Sequence, residues 1–282
     1  MSESLINLPA ILEVEAMEMN LFRGNSPNTN AQRVFGGQVI GQAMAAACRT
    51  VEGRLPNSLH SCFIRPGNPK APIIYEVERL RDGKSYSTRR VSAIQHGTAV
   101  CSIVVSFHAD EDGALDHQDK MPCVPFPDTL MAVQTPEQPT FCETTDFVRQ
   151  NYAIELCLVE SGRYIGEKTE DGRVHVWIKA ATRLRDDPVQ HMCALAYASD
   201  YPLLDAVTAR YDRPLFDKRM MIASLDHAMW FHRPFRADDW LLYAKESPSA
   251  QGGRGLVRGL IFEPGGTLVA SVAQEGSVRE QR

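Results

Sequence analysis

Three polar side chains in the second half of the chain fall where the hydrophobic pattern calls for apolar ones. Between Val189 and Leu204, the residues Met192, Leu195, Ala196, Ser199 and Leu203 form a stripe at helical spacing, and Asp200 lies on its edge, one turn beyond Ala196. A carboxylate turned toward a sheet is costly unless it is hydrogen-bonded or paired. Ser224 follows Met220 and Ile222 on one face of a strand-like run, by alternation. Gln274 closes another such run behind Leu268, Ala270 and Val272, so its amide points to the core side and needs partners there. Taken singly, each has an ordinary structural reading: an exposed Asp at a helix end fraying into Tyr201-Pro202, a strand serine, a strand-end glutamine. Taken together, a carboxylate, a hydroxyl and an amide suffice to hold one water. The Asp accepts its proton, while the Ser and Gln aim it at a carbonyl carbon. A thioester suits so modest a site, because its carbonyl is activated and its thiolate leaves readily.

His60, His227 and His232 lie in or beside two Arg-Pro motifs, and each is a further general-base candidate. Apart from Asp226 next to His227, spacing alone gives none of them a nucleophile or carboxylate. The chain has no G-x-S-x-G elbow, no H-E-x-x-H and no Cys/His cluster at metal spacing, so neither a metal site nor a cofactor is expected. Its Gly-rich run, Gly252-Gly253-Arg254-Gly255, lies between strand-like segments and opens no helix, which makes a poor phosphate loop.

The elements that must position these residues come as a repeat. Phe63-Ile64-Arg65-Pro66 matches Phe231-His232-Arg233-Pro234 at an offset of 168 residues. The same ungapped offset lays Tyr75 on Tyr243, Glu78 on Glu246, Arg90 on Arg258, Gly97 on Gly265, Val104 on Val272 and Ser106 on Gln274. Each half reads as a helix and then strands. In the first half the helix is Val34 to Cys48, rich in Gly and Ala so that a sheet can approach its backbone, and the strands are Ser58–Arg65, Ile73–Arg81, Tyr86–Gln95 and Ala99–His108. In the second half the helix runs from Val189 to Leu204, just after Pro188, and the strands are Met221–His232, Trp240–Glu246, Gly255–Phe262 and Thr267–Gln274. Residues 109–145, with prolines at 122, 125, 127, 136 and 139 and no periodicity, read as a linker. The expectation is an α+β chain: a first unit over 1–108 and a second, carrying the polar set, over 146–282. Each is an antiparallel sheet wrapped around a central helix, the hotdog arrangement.

A hydrophobic fraction of 44% and a charged fraction of 23% give a chain that builds its own core. A net charge of -5 provides no global field for nucleic acid. No run of about 18 apolar residues exists to span a membrane. The seven cysteines are scattered without a C-x-x-C pair, which favours reduced thiols and a cytoplasmic setting.

Several segments resemble the acyl-CoA thioesterase II family. In the first half they are Phe22-Arg23-Gly24, Val34-Phe35-Gly36-Gly37-Gln38, Leu59-His60-Ser61, Phe63 to Gly67, Leu80 to Tyr86 and Arg89-Arg90-Val91. In the second half they are Tyr197-Ala198-Ser199-Asp200, Asp226 to Pro234, Arg254 to Gly259 and Gln274-Glu275-Gly276. The resemblance implies a double hotdog fold and hydrolysis of fatty acyl-CoA to free acid and coenzyme A. It implies a water-activating triad that falls on Asp200, Ser224 and Gln274. Acyl-CoA is then the partner, with substrate contacts expected at Gly36, Gly37, Arg65, Lys84, Arg89, Arg90 and Arg258. Exposed sheet edges suggest a homo-oligomer, a dimer or tetramer. Two other readings stay open: a hydratase or dehydratase acting on an acyl-CoA, which wants a His soon after Asp200 and finds none, and an acyl-CoA sensor without turnover.

Overall fold

A computed structural model describes residues 7–27, 31–111, 113–133, 153–169, 171–201, 203–213, 217 and 219–281. The two repeats build one antiparallel sheet. In the first half α1 (Leu8–Leu12), β1 (Glu15–Glu18) and β2 (Leu21–Gly24) precede the long helix α2 (Gly36–Cys48). Then come β3 (Leu55–Phe63), β4 (Ile73–Asp82), β5 (Tyr86–Gln95) and β6 (Thr98–His108). After α3 (Pro127–Val133) the second half contributes β7 (Ile154–Leu158), β8 (Arg173–Ala180), α4 (Pro188–Ser199) and α5 (Asp205–Thr208). It closes with β9 (Met220–Ser224), β10 (Asp226–Phe231), β11 (Leu241–Gln251), β12 (Arg254–Phe262) and β13 (Leu268–Glu280). The strand order is β1-β2-β4-β5-β6-β3-β10-β13-β12-β11-β8-β7, with β9 on β13. The halves meet where β3 pairs with β10, Leu59 opposite Met229.

Helices α2 and α4 pack antiparallel inside the curved sheet, and small residues permit it. A Cβ on Gly41 would lie 3.2 Å from the carbonyl oxygen of Cys193. A Cβ on Gly37 would drive into the carbonyl oxygen of Tyr197. This backbone-to-backbone approach carries the start of α2 to the end of α4. Inward residues Leu59, Val91, Ile103, Tyr243, Val257 and Val272 cover both helices.

Four expectations need correcting. First, α4 ends at Ser199, not Leu204. Pro188 stands in its first turn, the Asp187 side chain caps it by accepting from the Val189 N–H at 3.0 Å, and Asp200 is the C-cap. Pro202 follows within two residues and cannot continue the helix. Second, the run Met221–His232 is not one strand. Between the pairs Ser224–Gly276 and Ala228–Ala273, residues 225–227 face only 274–275, so one residue is extra and the strand bulges at Leu225. Third, residues 113–133 are more than a spacer. Met121, Val124 and Leu130 cover Trp177, Leu242 and Phe262 on the outer face of the second-half sheet, and the Trp177 Nε1–H donates to the Pro125 carbonyl at 2.9 Å. The remainder of the expected linker, 134–145, and the start of the expected second unit lie outside the described residues.

The fourth correction concerns the repeat. Arg90 pairs with Val104, whereas Arg258 pairs with Ala273, so the last strand is shifted by one residue relative to the 168 offset. The turn after β12 is longer than His96-Gly97, and this accounts for the slip. Ser106 therefore stands on the outer face, between Ser58 and Thr88, and is not the counterpart of Gln274. That counterpart is Val105, which pairs with Leu59.

Candidate active site

The carboxylate enters from the helix. Asp200 follows Ser199 at the end of α4 and is partly buried, with Oδ2 turned toward the start of α2, where a Cβ on Gly36 would lie 2.7 Å from it. Gly36 thus leaves room for the carboxylate beside the first turn of α2, where the Gln38 N–H already donates to the Phe35 carbonyl at 3.1 Å and the Gly36 N–H has no intrahelical acceptor. The Phe63 ring closes the same corner, 2.9 Å from that hypothetical Cβ.

The hydroxyl arrives through the bulge. Simple alternation would put Ser224 and His227 on opposite faces of one strand. The extra residue at Leu225 reverses the phase, and both side chains turn inward. The Leu225 N–H donates to the Glu275 carbonyl at 2.9 Å, its own carbonyl accepts from the Phe63 N–H at 2.9 Å, and Asp226 Oδ1 accepts from the Glu275 N–H at 2.7 Å. These bonds fix the kink to both neighbouring strands.

The amide arrives from β13. Gln274 is 1% exposed and bonds at both ends. Its Nε2–H donates to Ser224 Oγ at 2.8 Å, and the Ser224 hydroxyl donates to Asp200 Oδ1 at 3.2 Å. Its Oε1 is bonded to His227 Nδ1, and His227 Nε2 is bonded to Ser199 Oγ at 2.9 Å. The Tyr243 hydroxyl donates to the Ser199 carbonyl at 3.0 Å and steadies the helix end. Burial holds the His227 imidazole below its usual pKa, against the pull of the Asp200 charge. Burial likewise pushes the Tyr243 hydroxyl up, and Asp200 and Asp205 add to it.

The structure therefore brings Asp200, Ser224 and Gln274 together. It adds His227, Ser199, Tyr243 and Gly36, of which the sequence pattern marked only His227 and the family resemblance only Gly36. Gly37 lies at the helix crossing rather than in the opening. Among the expected cations, Arg89 is 1% exposed and spent on Thr50, Arg81, Thr88 and Asp82 within the first half, so it has nothing left for a phosphate. Arg90 pairs with Glu78, and Arg258 pairs with Glu246 at 2.6 Å, both on the outer face. Lys84 is exposed in the β4–β5 turn. Arg65 is exposed in the loop whose Gly67 carbonyl accepts from the Val34 N–H just before α2, so it lies nearest in chain to the site. His60 packs edge-on against Trp230, and His232 bonds Ser271, both away from Asp200. Among the described residues no group of His, Cys, Asp and Glu is arranged to hold a metal ion.

Two sheet-wrapped helices joined edge to edge define a double hotdog protein. A hot dog fold protein from Alicyclobacillus acidocaldarius superposes with a TM-score of 0.79 at 18% identity, over 98% of each chain. An acyl-CoA thioesterase II from Mycobacterium marinum superposes with a TM-score of 0.81 at 41% identity, over 97% of this chain and 98% of that one. The acyl-CoA thioesterase model matches residues 145–277, and the acyl-CoA thioesterase N-terminal domain model matches residues 25–108. Acyl-CoA thioesterase 2 of Haemophilus influenzae is 35% identical over 99% of both chains. Human acyl-coenzyme A thioesterase 8 is 37% identical over 95% of this chain and 88% of its own. The chain belongs to the acyl-CoA thioesterase family, and its reaction class is thioester hydrolysis.

Proposed function

We propose that the protein hydrolyses fatty acyl-CoA to free acid and coenzyme A at Asp200, Ser224 and Gln274, without a metal or cofactor. The observation that carries this reading is the bonded path from Gln274 through Ser224 to Asp200, which leaves Oδ2 of the carboxylate open toward Gly36. Asp200 takes a proton from a water held at Ser224, whose hydroxyl Gln274 orients, and the water oxygen attacks the thioester carbonyl carbon. Negative charge builds on the carbonyl oxygen. It is met by the Gly36 N–H and by the positive end of α2. The carbon–sulfur bond then breaks, and coenzyme A leaves as a thiolate that takes up a proton. Arg65 is our choice for a phosphate contact.

The first half supplies the helix start and, among its described residues, no second set of polar groups at these positions. The position of Asp200 is taken there by Arg49, the C-cap of α2, whose guanidinium donates to the Val14 carbonyl at 2.8 Å. The positions of His227 and Gln274 are taken by Leu59 and Val105, fully buried and without a polar atom.

Reduced thiols support a cytoplasmic setting: the six described cysteines are free. The outward strand β9, with Met221 51% and Ile222 40% exposed, supports a homo-oligomer.

Thiol release from palmitoyl-CoA, followed with a chromogenic disulfide, tests the proposal. Stoichiometric thiol and palmitate support it. A hydratase would leave the thioester intact, and a sensor would bind without turnover; either result refutes it.

A further inference from the structure

His227 is fully buried, its ring is bonded at both nitrogens, and the hydrolytic scheme does not use it. We infer that His227 is a positioning residue: an Nδ1–H donated to Gln274 Oε1 fixes which way the Gln274 amide faces, and thereby directs the Ser224 hydroxyl proton onto Asp200. The inference rests on reading Asp200, Ser224 and Gln274 as the water-activating set.

The argument is one of proton counting along a closed path. A carboxylate acting as base only accepts, so the bond at Asp200 Oδ1 needs the Ser224 hydroxyl proton. With that proton committed, Ser224 Oγ can only accept from Gln274, which must present Nε2 to it. The Gln274 carbonyl Oε1 then faces the imidazole and needs a donor. Neutral imidazole has one N–H, so the proton belongs on Nδ1, and Nε2 is left to accept from the Ser199 hydroxyl.

The other tautomer reverses the chain. A proton on Nε2 would make Nδ1 an acceptor, and the Gln274 NH2 group would have to turn toward it. Oε1 would then face Ser224, which could pair only by donating, and Asp200 would lose its hydroxyl donor. Ser199 tolerates either state, because its hydroxyl also reaches the Ala196 carbonyl at 3.0 Å. Two features favour the first. The Ser224–Asp200 bond has an ionised acceptor and is the stronger kind. With Gln274 1% exposed and His227 fully buried, water is not at hand to repair a mismatched pair.

The His227–Gln274 contact is thus a two-state element whose orientation decides whether the base is correctly dressed. Leu59 and Val105, the corresponding pair in the first half, cannot form such an element. Asn is the informative replacement, since its Nδ2 lies as many bonds from Cβ as Nδ1 of histidine and still donates. Leu keeps the volume and removes the donor.

The test has two parts. In the unaltered protein, long-range proton–nitrogen NMR of 15N-histidine reports the tautomer directly. We expect His227 as neutral imidazole protonated at Nδ1, and protonation at Nε2 alone overturns the inference. In kinetics with palmitoyl-CoA, His227→Leu should lower kcat at least about tenfold with KM within about twofold. His227→Asn should recover to within about fivefold of the unaltered enzyme. In the Gln274→Ala background, His227→Leu should cost less than about twofold more. An undiminished His227→Leu, an Asn variant as impaired as Leu, or a full additional loss in the Gln274→Ala background overturns it. An Asp200→Asn control separates the two claims. Full activity there removes the hydrolytic reading itself, whereas low activity there beside an undiminished His227→Leu removes only the role of His227.

Discussion

Ser199 and Asp200 are consecutive at the end of α4, yet they stand at opposite ends of one hydrogen-bonded path that runs through His227, Gln274 and Ser224. The path leaves the helix at one residue, crosses β10, β13 and β9, and returns at the next. The carboxylate of Asp200 is therefore held from three strands as well as by its own backbone. Such bracing keeps a general base aimed at one point rather than swinging on a frayed helix end.

Gln274→Ala removes the donor to Ser224 and should lower kcat at least about tenfold, equivalent to about 1.4 kcal/mol of transition-state stabilisation. Ser106→Ala should stay within about twofold of the unaltered enzyme, since Ser106 faces outward between Ser58 and Thr88. Steady-state thiol release from both variants, after matching circular dichroism and Tm, checks this. Equal losses would mean that the first half takes part in the chemistry.

Gly36→Ala and Gly37→Ala should fail in different ways. A methyl at Gly36 meets Asp200 Oδ2 at 2.7 Å, so it should displace the carboxylate and depress kcat with a modest change in Tm. A methyl at Gly37 meets the backbone of Tyr197, which cannot rotate away, so it should separate the helices and cost about 1–3 kcal/mol of stability or more. Urea unfolding beside kinetics would distinguish them. A Gly37→Ala protein as stable as the parent would contradict the helix contact described here.

Mild acid should destabilise the protein. Burial lowers the pKa of His227 against Asp200, and of His191 against Asp238. Burial and Arg233 both lower His232. Such groups bind protons preferentially when unfolded, with a pKa of about 6.5. Stability is then full above that pH and falls as pH drops through it toward the folded values. Asp205 and Glu263, raised by burial, act in the opposite sense nearer pH of about 4 to 5. Urea midpoints between pH of about 7.5 and 5.5 should therefore decline, and less steeply in His227→Asn. A flat profile would show that these imidazoles titrate normally.

Activity should survive exhaustive dialysis against a chelator. Thiol release before and after dialysis checks this, and a loss that zinc or magnesium restores would rule out water activation by Asp200 alone.

Much of the fold is written in local pattern. The Gly/Ala-rich run becomes α2 because its glycines let α4 approach, and the alternating strands fall close to their expected ranges. Asp200, Ser224 and Gln274 stand out because each is polar on an apolar face. What the pattern hides is what depends on partners distant in sequence. The bulge at Leu225 exists only as a count of 225–227 against 274–275, so alternation alone could not show that Ser224 and His227 share a face. The longer turn after β12 shifts β13 by one residue, which is why an ungapped repeat put Ser106 in the place of Gln274. Strand β8 alternates from Arg173 to Ala180 at every position but Trp177, and that one departure has a distant cause, since Met121, Val124 and Leu130 cover the ring on the outer side of the sheet.

The most direct test of the account is kcat for Asp200→Asn with palmitoyl-CoA, on protein whose Tm matches the parent. Asparagine keeps the shape and can still bond Ser224, but it cannot take a proton from water. Loss of a general base predicts a fall of about 10² to 10⁴ in kcat. Retention of more than about half of the parental turnover would contradict Asp200 as the base.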